Sequence, residues 1–258
     1  MTFDLTKYDR IVVNSSAGKD SQASLSVVVS LARSQGVIER VEVLHVDMGS
    51  MEWAGTGELA TAQADHFGVP ITITRKRTKS ADDLLDRVVE RGMFPGPSGR
   101  WCTSDFKRGP ARKHFTALAK AADIERPYRI LSVTGIRAEE SPDRAKKAAL
   151  ESGQVDTKNQ IVDEWRPILA WTEAEVWAEI DLSGAPHHIA YDLGMSRLSC
   201  AACVYAKKSD LVIAARHNRA LFARIAEVED ITGHTFKHNW SIREAIAEAE
   251  TPVLLTST

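Results

Sequence analysis

Ile11-Val12-Val13-Asn14-Ser15-Ser16-Ala17-Gly18-Lys19-Asp20-Ser21 is an apolar run that gives way to small and polar residues. Directly after it, Leu25, Val28, Val29 and Leu31 recur at helical spacing between Asp20 and Ser34. Strand, small-residue turn and helix, in that order, make a phosphate-binding βα unit. A phosphate needs converging N–H donors and little steric bulk, and a small-residue turn that feeds a helix N-terminus supplies both. Ser16, Gly18 and Ser21 fit that need. Lys19 adds charge, and Asp20 serves either as a helix cap or as a ligand for Mg²⁺ riding on the phosphates. The plain alternative is an ordinary Ser/Gly turn between strand and helix.

Outward from this loop the pattern repeats. Val41 to Val46, ending at Asp47, then Ile71 to Thr74 and Tyr128 to Thr134 read as strands. Leu59 to Phe67 reads as a helix stopped by Gly68, Asp82 to Arg91 as one ending before Gly92, and Lys107 to Ala122 as a third. Strands alternating with helices predict an α/β fold, a parallel sheet covered on both faces. The strand at Tyr128 delivers Gly135-Ile136-Arg137 beyond its carboxyl end, where such folds place ligands. Arg137 and Arg144 suit bidentate contact with phosphate or sulfate, the alternative being exposed charge on a loop rich in Glu, Lys and Asp. Met93 to Gly99 is a loop, and Ala145 to Lys158 a polar connection. Thr172 caps a helix through Ile180, with Glu175 at the capping-box position, and Leu211 to Thr232 and Ser241 to Glu248 also read as helices. Trp171 and Trp177 read as core residues, and His187 and His188 as part of a surface loop. The expected organisation is a nucleotide-binding α/β domain over 1–165 and a mostly helical region over 166–258.

The bulk numbers agree with this. Of 258 residues 43% are apolar, enough for a sizeable core. Lys and Arg number 33 against 35 Asp and Glu, a net charge of −2, which argues against nucleic acid coating the whole surface but not against one local groove. Arg75-Lys76-Arg77-Thr78-Lys79 is either such a patch or a solvated loop. No apolar run is long enough to span a bilayer, and Met1 to Arg10 lacks the basic-then-apolar layout of a signal peptide, so a cytoplasmic protein without membrane association is expected. Cys102, Cys200 and Cys203, the only cysteines, make a poor disulfide framework and read as ligands, nucleophiles or core residues. The Walker arrangement, Lys directly before the final Ser or Thr, is absent.

Ser16-Ala17-Gly18-Lys19-Asp20-Ser21 resembles the Ser-Gly-Gly-X-Asp-Ser pyrophosphate loop of the ATP pyrophosphatase (adenine nucleotide alpha hydrolase-like) superfamily, with Ala17 in place of the first Gly. That departure is mild provided the backbone there does not need a positive φ. Further stations resemble the PAPS reductase-like branch. They are His45-Val46-Asp47-Met48-Gly49, near the base and ribose; Trp101-Cys102-Thr103 with Lys107 and Pro110; Gly135-Ile136-Arg137 with Glu140, Ser141 and Arg144; Arg166-Pro167-Ile168 with Trp171-Thr172 and Val176-Trp177; and Tyr191 to Gly194 leading into Cys200-Ala201-Ala202-Cys203. The resemblance implies a Rossmann-like sheet with a helical appendage and an ATP or related adenine nucleotide held by Ser15 to Ser21, Asp47, Gly135, Arg137 and Arg144. It also implies catalytic roles for Asp20, Lys107 and Arg137. If Cys102, Cys200 and Cys203 converge, they would hold a [4Fe–4S] cluster with one open iron; a zinc short of one ligand, or three free thiols, are the alternatives.

Sulfonucleotide reductases of this family attack sulfate with a cysteine near the C-terminus, and no cysteine follows Cys203 here. The expectation is therefore an adenylating sulfurtransferase similar to DNA phosphorothioation proteins, with DNA or tRNA as acceptor, a cysteine desulfurase as sulfur donor, and a homodimeric assembly. Reduction of phosphoadenylyl or adenylyl sulfate, and a non-catalytic nucleotide-binding subunit, are the competing readings.

Overall fold

The computed structural model describes residues 3–76, 83–96, 99–153 and 155–251. The chain divides into two compact units: Met1–Asp47, Gly55–Thr74 and Arg108–His188 form the first, and Met48–Ala54, Arg75–Lys107 and Ile189–Thr258 the second. The boundary expected after residue 165 falls inside the first unit, and the second draws two of its three segments from before that point. Arg77 to Lys79, most of the basic run, lie outside the described residues.

The first unit carries the sheet. In chain order its elements are β1 (Arg10–Ser15), α1 (Lys19–Ser34), β2 (Val41–Asp47), α2 (Thr56–Phe67) and β3 (Ile71–Arg75). In the second unit α3 (Leu84–Arg91) and the one-turn α4 (Trp101–Thr103) follow. The chain then returns through α5 (Gly109–Ala121), β4 (Tyr128–Val133), the one-turn α6 (Pro142–Ala145), β5 (Leu150–Glu151), β6 (Gln160–Trp165) and α7 (Glu173–Ser183). The strand order is β3-β2-β1-β4-β6-β5. β1 runs parallel to both β2 and β4, β4 parallel to β6, and β5 antiparallel to β6 at the edge. The order reverses between β1 and β4, the crevice where open α/β sheets receive ligands. The expected α/β class is thus the observed one.

Both sheet faces are covered, as the unbroken apolar strands require. Ile11, Val13, Val43, Leu131 and Val133 pack with Leu25, Val28 and Val29 of α1, while Val12, Leu44, Ile130 and Val162 meet Phe115 of α5. β6 is a strand that the sequence pattern does not announce, because Asp163 and Glu164 interrupt it. Each has a partner: the Tyr8 hydroxyl donates to Asp163 at 2.9 Å, and Arg166 pairs with Glu164 at 2.9 Å. Arg166 is 1% exposed. It also pairs with Glu151 at 3.1 Å and donates to the Ala148 carbonyl at 2.6 Å, which fastens the β5 edge. That carboxylate interaction holds Glu151 below its ordinary pKa. Thr172 and Glu175 form the expected reciprocal capping box on α7. His188, expected on the surface, is buried within 3.4 Å of the Thr56 hydroxyl.

The second unit is helical, with α8 (Lys208–His217), α9 (Arg219–Thr232) and α10 (Ile242–Glu250) packed with α3 around Leu85, Leu211, Phe222 and Ile225. Leu211 to Thr232 is not one helix: Asn218 leaves the helical region (φ −130°, ψ 48°) and its side-chain amide donates to the Ala214 carbonyl at 3.0 Å. Among the described residues no helix is long and apolar enough to cross a membrane.

Candidate functional site

The loop expected to hold phosphate lies at the carboxyl end of β1, beside the switch in strand order. Gly18 is the N-cap of α1 in extended conformation, without a side-chain cap of its own. A helix leaves its first N–H groups without intrahelical acceptors, and its dipole makes that end attractive to anions. The turn is ordered by its own hydroxyls: Ala17 N–H donates to Ser15 Oγ at 3.0 Å, Ser16 N–H to Ser21 Oγ at 3.2 Å, and Ser21 Oγ to the Gly18 carbonyl at 2.9 Å. Ala17 sits at φ +56°. The condition that made Ala17 a mild substitution therefore fails: the position does need left-handed backbone, which costs an L-residue about 1–2 kcal/mol. Ser16 is exposed, whereas Ala17, Gly18, Lys19 and Ser21 are buried, so the loop is more closed than an open phosphate cradle.

An ion network closes it further. Arg137, 3% exposed, donates from Nε to Asp20 Oδ1 at 2.6 Å and pairs through its Nη1 with Glu139. Burial works against the guanidinium charge, but the hydrogen bond and charge of Asp20, then Glu139 and Glu140, outweigh it and hold Arg137 above its ordinary pKa. Lys19 reaches the other oxygen of Asp20 at 3.1 Å and stands 3.9 Å from Glu173. Asp20, expected as a Mg²⁺ ligand, thus bridges two cations. Each carboxylate oxygen still has a second lone pair, so its donor chemistry suits a divalent ion. Arg144, expected on phosphate, pairs with Glu140, which also accepts the Arg137 N–H at 3.1 Å.

Gly135 marks a close approach of backbone to backbone. A Cβ there would lie 2.5 Å from the Asp20 carbonyl oxygen and 2.7 Å from the Ser21 nitrogen. The chain leaving β4 is therefore pressed against the first turn of α1, the reason for glycine at this position. Asp47 ends β2, two residues after the His45 that pairs in register with Ser15; His45 Nδ1 lies 3.0 Å from the Ser15 carbonyl.

The cysteines belong to the second unit. Cys102 sits in α4, which runs into a π-helical turn over Ser104–Arg108 and then into α5. Pro110 has no N–H to return to the carbonyl a turn earlier, so the helix widens just ahead of it. Lys107 lies in that widened turn. Its ammonium is held above its ordinary pKa by Cys200 first, against burial, and then by Cys203, Cys102 and Glu52. Burial pushes Cys102 up and Cys200 up to about 11, with Lys107 working against burial at both. Thiols from two distant segments, Cys102 and Cys200-X-X-Cys203, thus lie within electrostatic reach of one cation. Yet no three His, Cys, Asp or Glu side chains among the described residues gather tightly enough for a single metal ion. The cluster, zinc and free-thiol alternatives all stay open at these cysteines. Sequence reasoning missed the π turn, for which Gly109-Pro110 was the available signal.

Comparison with known proteins fits these features. An adenosine 5′-phosphosulfate reductase of Allochromatium vinosum is 32% identical over 168 residues, 64% of this chain and 59% of the relative. An uncharacterized 37.8 kDa protein of Escherichia phage 186 is 32% identical over 151 residues, 58% of this chain and 43% of that protein. The chain spans about half the length of the curated relatives it matches. The crystal structure of a phosphoadenylyl-sulfate reductase from Candida auris, a phosphate complex, shares the fold with a TM-score of 0.51 at 15% identity, over 76% of this chain and 83% of that one. Residues 10–206 match the phosphoadenosine phosphosulfate reductase domain, and the chain belongs to that family.

Proposed function

We propose that this protein is an adenylating ATP pyrophosphatase that transfers sulfur to a nucleic acid, DNA or tRNA. The observation that carries the reading is the gathering of Cys102, Cys200 and Cys203 around Lys107 in a family whose sheet carries a nucleotide loop. The amides opening α1 and the Lys19 and Arg137 cations hold the triphosphate. Asp20 sets the position of both cations, and its carboxylate would be the ligand for Mg²⁺ riding on the phosphates. An acceptor oxygen attacks the α-phosphorus, the bond to the bridging oxygen breaks, and pyrophosphate leaves. Hydrosulfide, released by a dithiol reductant from the persulfide of a cysteine desulfurase, then attacks the activated centre and displaces the adenylated oxygen, and AMP departs with it. Lys107 works against burial at Cys102 and Cys200, toward the thiolate, the form that ligates and attacks. A [4Fe–4S] cluster on those thiolates would supply an iron without a protein ligand, at which sulfur can be carried.

The test is anaerobic purification followed by iron, sulfide and zinc analysis, together with release of pyrophosphate and AMP from ATP when sulfide and nucleic acid are supplied. Absence of both products would sink the reading. Cys102→Ser, Cys200→Ser and Cys203→Ser are each expected to lose iron. A second reading, reduction of adenylyl or phosphoadenylyl sulfate by a thiol within Cys200/Cys203, is favoured by the likeness to the Allochromatium enzyme. Thioredoxin-dependent release of sulfite would select it.

A further inference from the structure

In a chain with more acids than bases, both cysteine-bearing segments of the second unit are free of acids. From Arg91 to Ser104 the only charged residues are Arg91 and Arg100; from Leu193 to Ser209 they are Arg197, Lys207 and Lys208. Three of the exposed cations among them, Arg91, Arg100 and Lys208, lie over aromatic rings, Lys208 over Trp240 at 5.1 Å. The Arg91 guanidinium lies over Trp101, the neighbour of Cys102, at 4.9 Å from the ring centre. The Arg100 guanidinium lies over Tyr205, two residues after Cys203, at 4.3 Å, and its Nε donates to the Tyr205 hydroxyl at 2.7 Å. That hydroxyl lies 3.4 Å from the Gly96 carbonyl, which links the ring to the loop ahead of Cys102. Tyr205 is 37% exposed, and Arg91, Arg100, Lys207 and Lys208 are all exposed.

Cations laid on aromatic faces recur where bases are to be stacked and phosphates neutralised together. An acidic protein would need the charges but not the rings. A rigid duplex would keep its bases stacked on one another. We infer that the surface of Arg91, Arg100, Trp101, Tyr205, Lys207 and Lys208 around the thiols is the docking face for a single-stranded nucleic acid. The inference rests on the nucleic-acid acceptor proposed above and names the surface that receives it.

Four cations that each neutralise one phosphate predict a log–log salt slope near −3 for a single strand, at about −0.7 per contact. Affinity then falls about fiftyfold between 50 and 200 mM salt. The test is fluorescence anisotropy of the full chain with a labelled mixed-sequence 20-nucleotide single strand, the same sequence as duplex, and poly-glutamate. Arg100→Gln with Lys207→Gln and Lys208→Gln is expected to weaken strand binding at least tenfold and bring the slope near −1. Tyr205→Leu is expected to lose fivefold or more with little change of slope, and Tyr205→Phe to bind as the parent does. Equal affinity for poly-glutamate or for the duplex overturns the inference, as does unchanged binding by the triple variant with a parental thermal melt. Strand binding without pyrophosphate release from ATP would leave this surface standing and defeat adenylation. Pyrophosphate release with sulfide present but without strand binding would do the reverse.

Discussion

Gly135→Ala tests how the nucleotide loop is shaped. The added Cβ would meet backbone at 2.5 Å (Asp20 oxygen), 2.6 Å (Asp20 carbon) and 2.7 Å (Ser21 nitrogen), with no flexible side chain to yield. Restoring an ordinary contact near 3.4 Å requires the β4 exit and the α1 turn to part by about 0.9 Å. Overpacking of this kind costs about 1–3 kcal/mol, and the rigidity of two backbones puts it toward the upper end. Gly135 is not among the positive-φ glycines, so alanine gains back about 0.4–1 kcal/mol from the unfolded state. The net loss of about 2 kcal/mol corresponds to a fall of about 4–8 °C in Tm for a chain of this size. A shift of nearly 1 Å at the loop is also enough to weaken a positioned reaction about a hundredfold. Gly57→Ala is the control: it lies in α2 with nothing within 4 Å, and should raise stability by about 0.5–1 kcal/mol. The assays are thermal and urea unfolding followed by circular dichroism, and ATP binding by calorimetry. If both alanines move stability in the same direction, or Gly135→Ala binds ATP like the parent, the close approach does not shape the loop.

Other perturbations follow from the same geometry. Ala17→Gly relieves left-handed strain of about 1–2 kcal/mol, but loses a buried methyl worth about 0.8 kcal/mol and adds about 0.5–1 kcal/mol of chain entropy. A change within about 1 kcal/mol is expected, whereas Ala17→Val should unfold far more readily in urea. Arg166→Met removes the buried cation between Glu151 and Glu164 and should cost about 3 kcal/mol in urea unfolding, with the β5 edge first to lose amide-exchange protection. Asp9 is held below its ordinary 3.8 by its hydrogen bond from Arg126, against burial. Its folded pKa is depressed, so its stabilisation is present above 3.8 and is lost as pH falls through the folded value; parent and Asp9→Asn melts should converge there.

The loop was legible because three local signals agreed: an apolar strand, small residues, then helical spacing from Leu25. What lay beyond reach was where the backbone goes. Nothing in Ser-Ala-Gly reveals that Ala17 has φ +56°, since that depends on the turn that Ser15 and Ser21 fold around. Gly135 stood out by its place after a strand, but its reason is contact with a turn more than a hundred residues earlier. β6 hid because its acids are neutralised by Tyr8 and Arg166 from elsewhere, and periodicity cannot see distant partners. Asn218 ends α8 without glycine or proline, through one side-chain hydrogen bond. The meeting of the cysteines with Lys107 follows from no spacing; the family resemblance alone suggested it, and the interleaved units explain why a cut at 165 did not.

The network at Asp20 bears on how a nucleotide would enter. Arg137 is almost fully buried, and both Asp20 and Glu139 already contact it. A phosphate can claim that guanidinium only by sharing it with, or displacing, one carboxylate. Asp20 is the costlier to displace, since its other oxygen also holds Lys19, and releasing it would leave two buried cations short of a partner. Glu139 is half exposed, with a side-chain exposure of 54%; returning it to water gives up the Arg137 contact and the 2.9 Å hydrogen bond it accepts from the Glu173 N–H, a smaller loss than that of Asp20. Phosphate binding should therefore exchange Glu139 and keep Asp20. Glu139→Gln is expected to tighten ATP binding, because it removes a competing anion and leaves the clamp intact. Asp20→Asn should weaken binding and also destabilise the fold by about 3 kcal/mol. Calorimetric affinities in the opposite order would mean that Asp20, and not Glu139, is the carboxylate that yields.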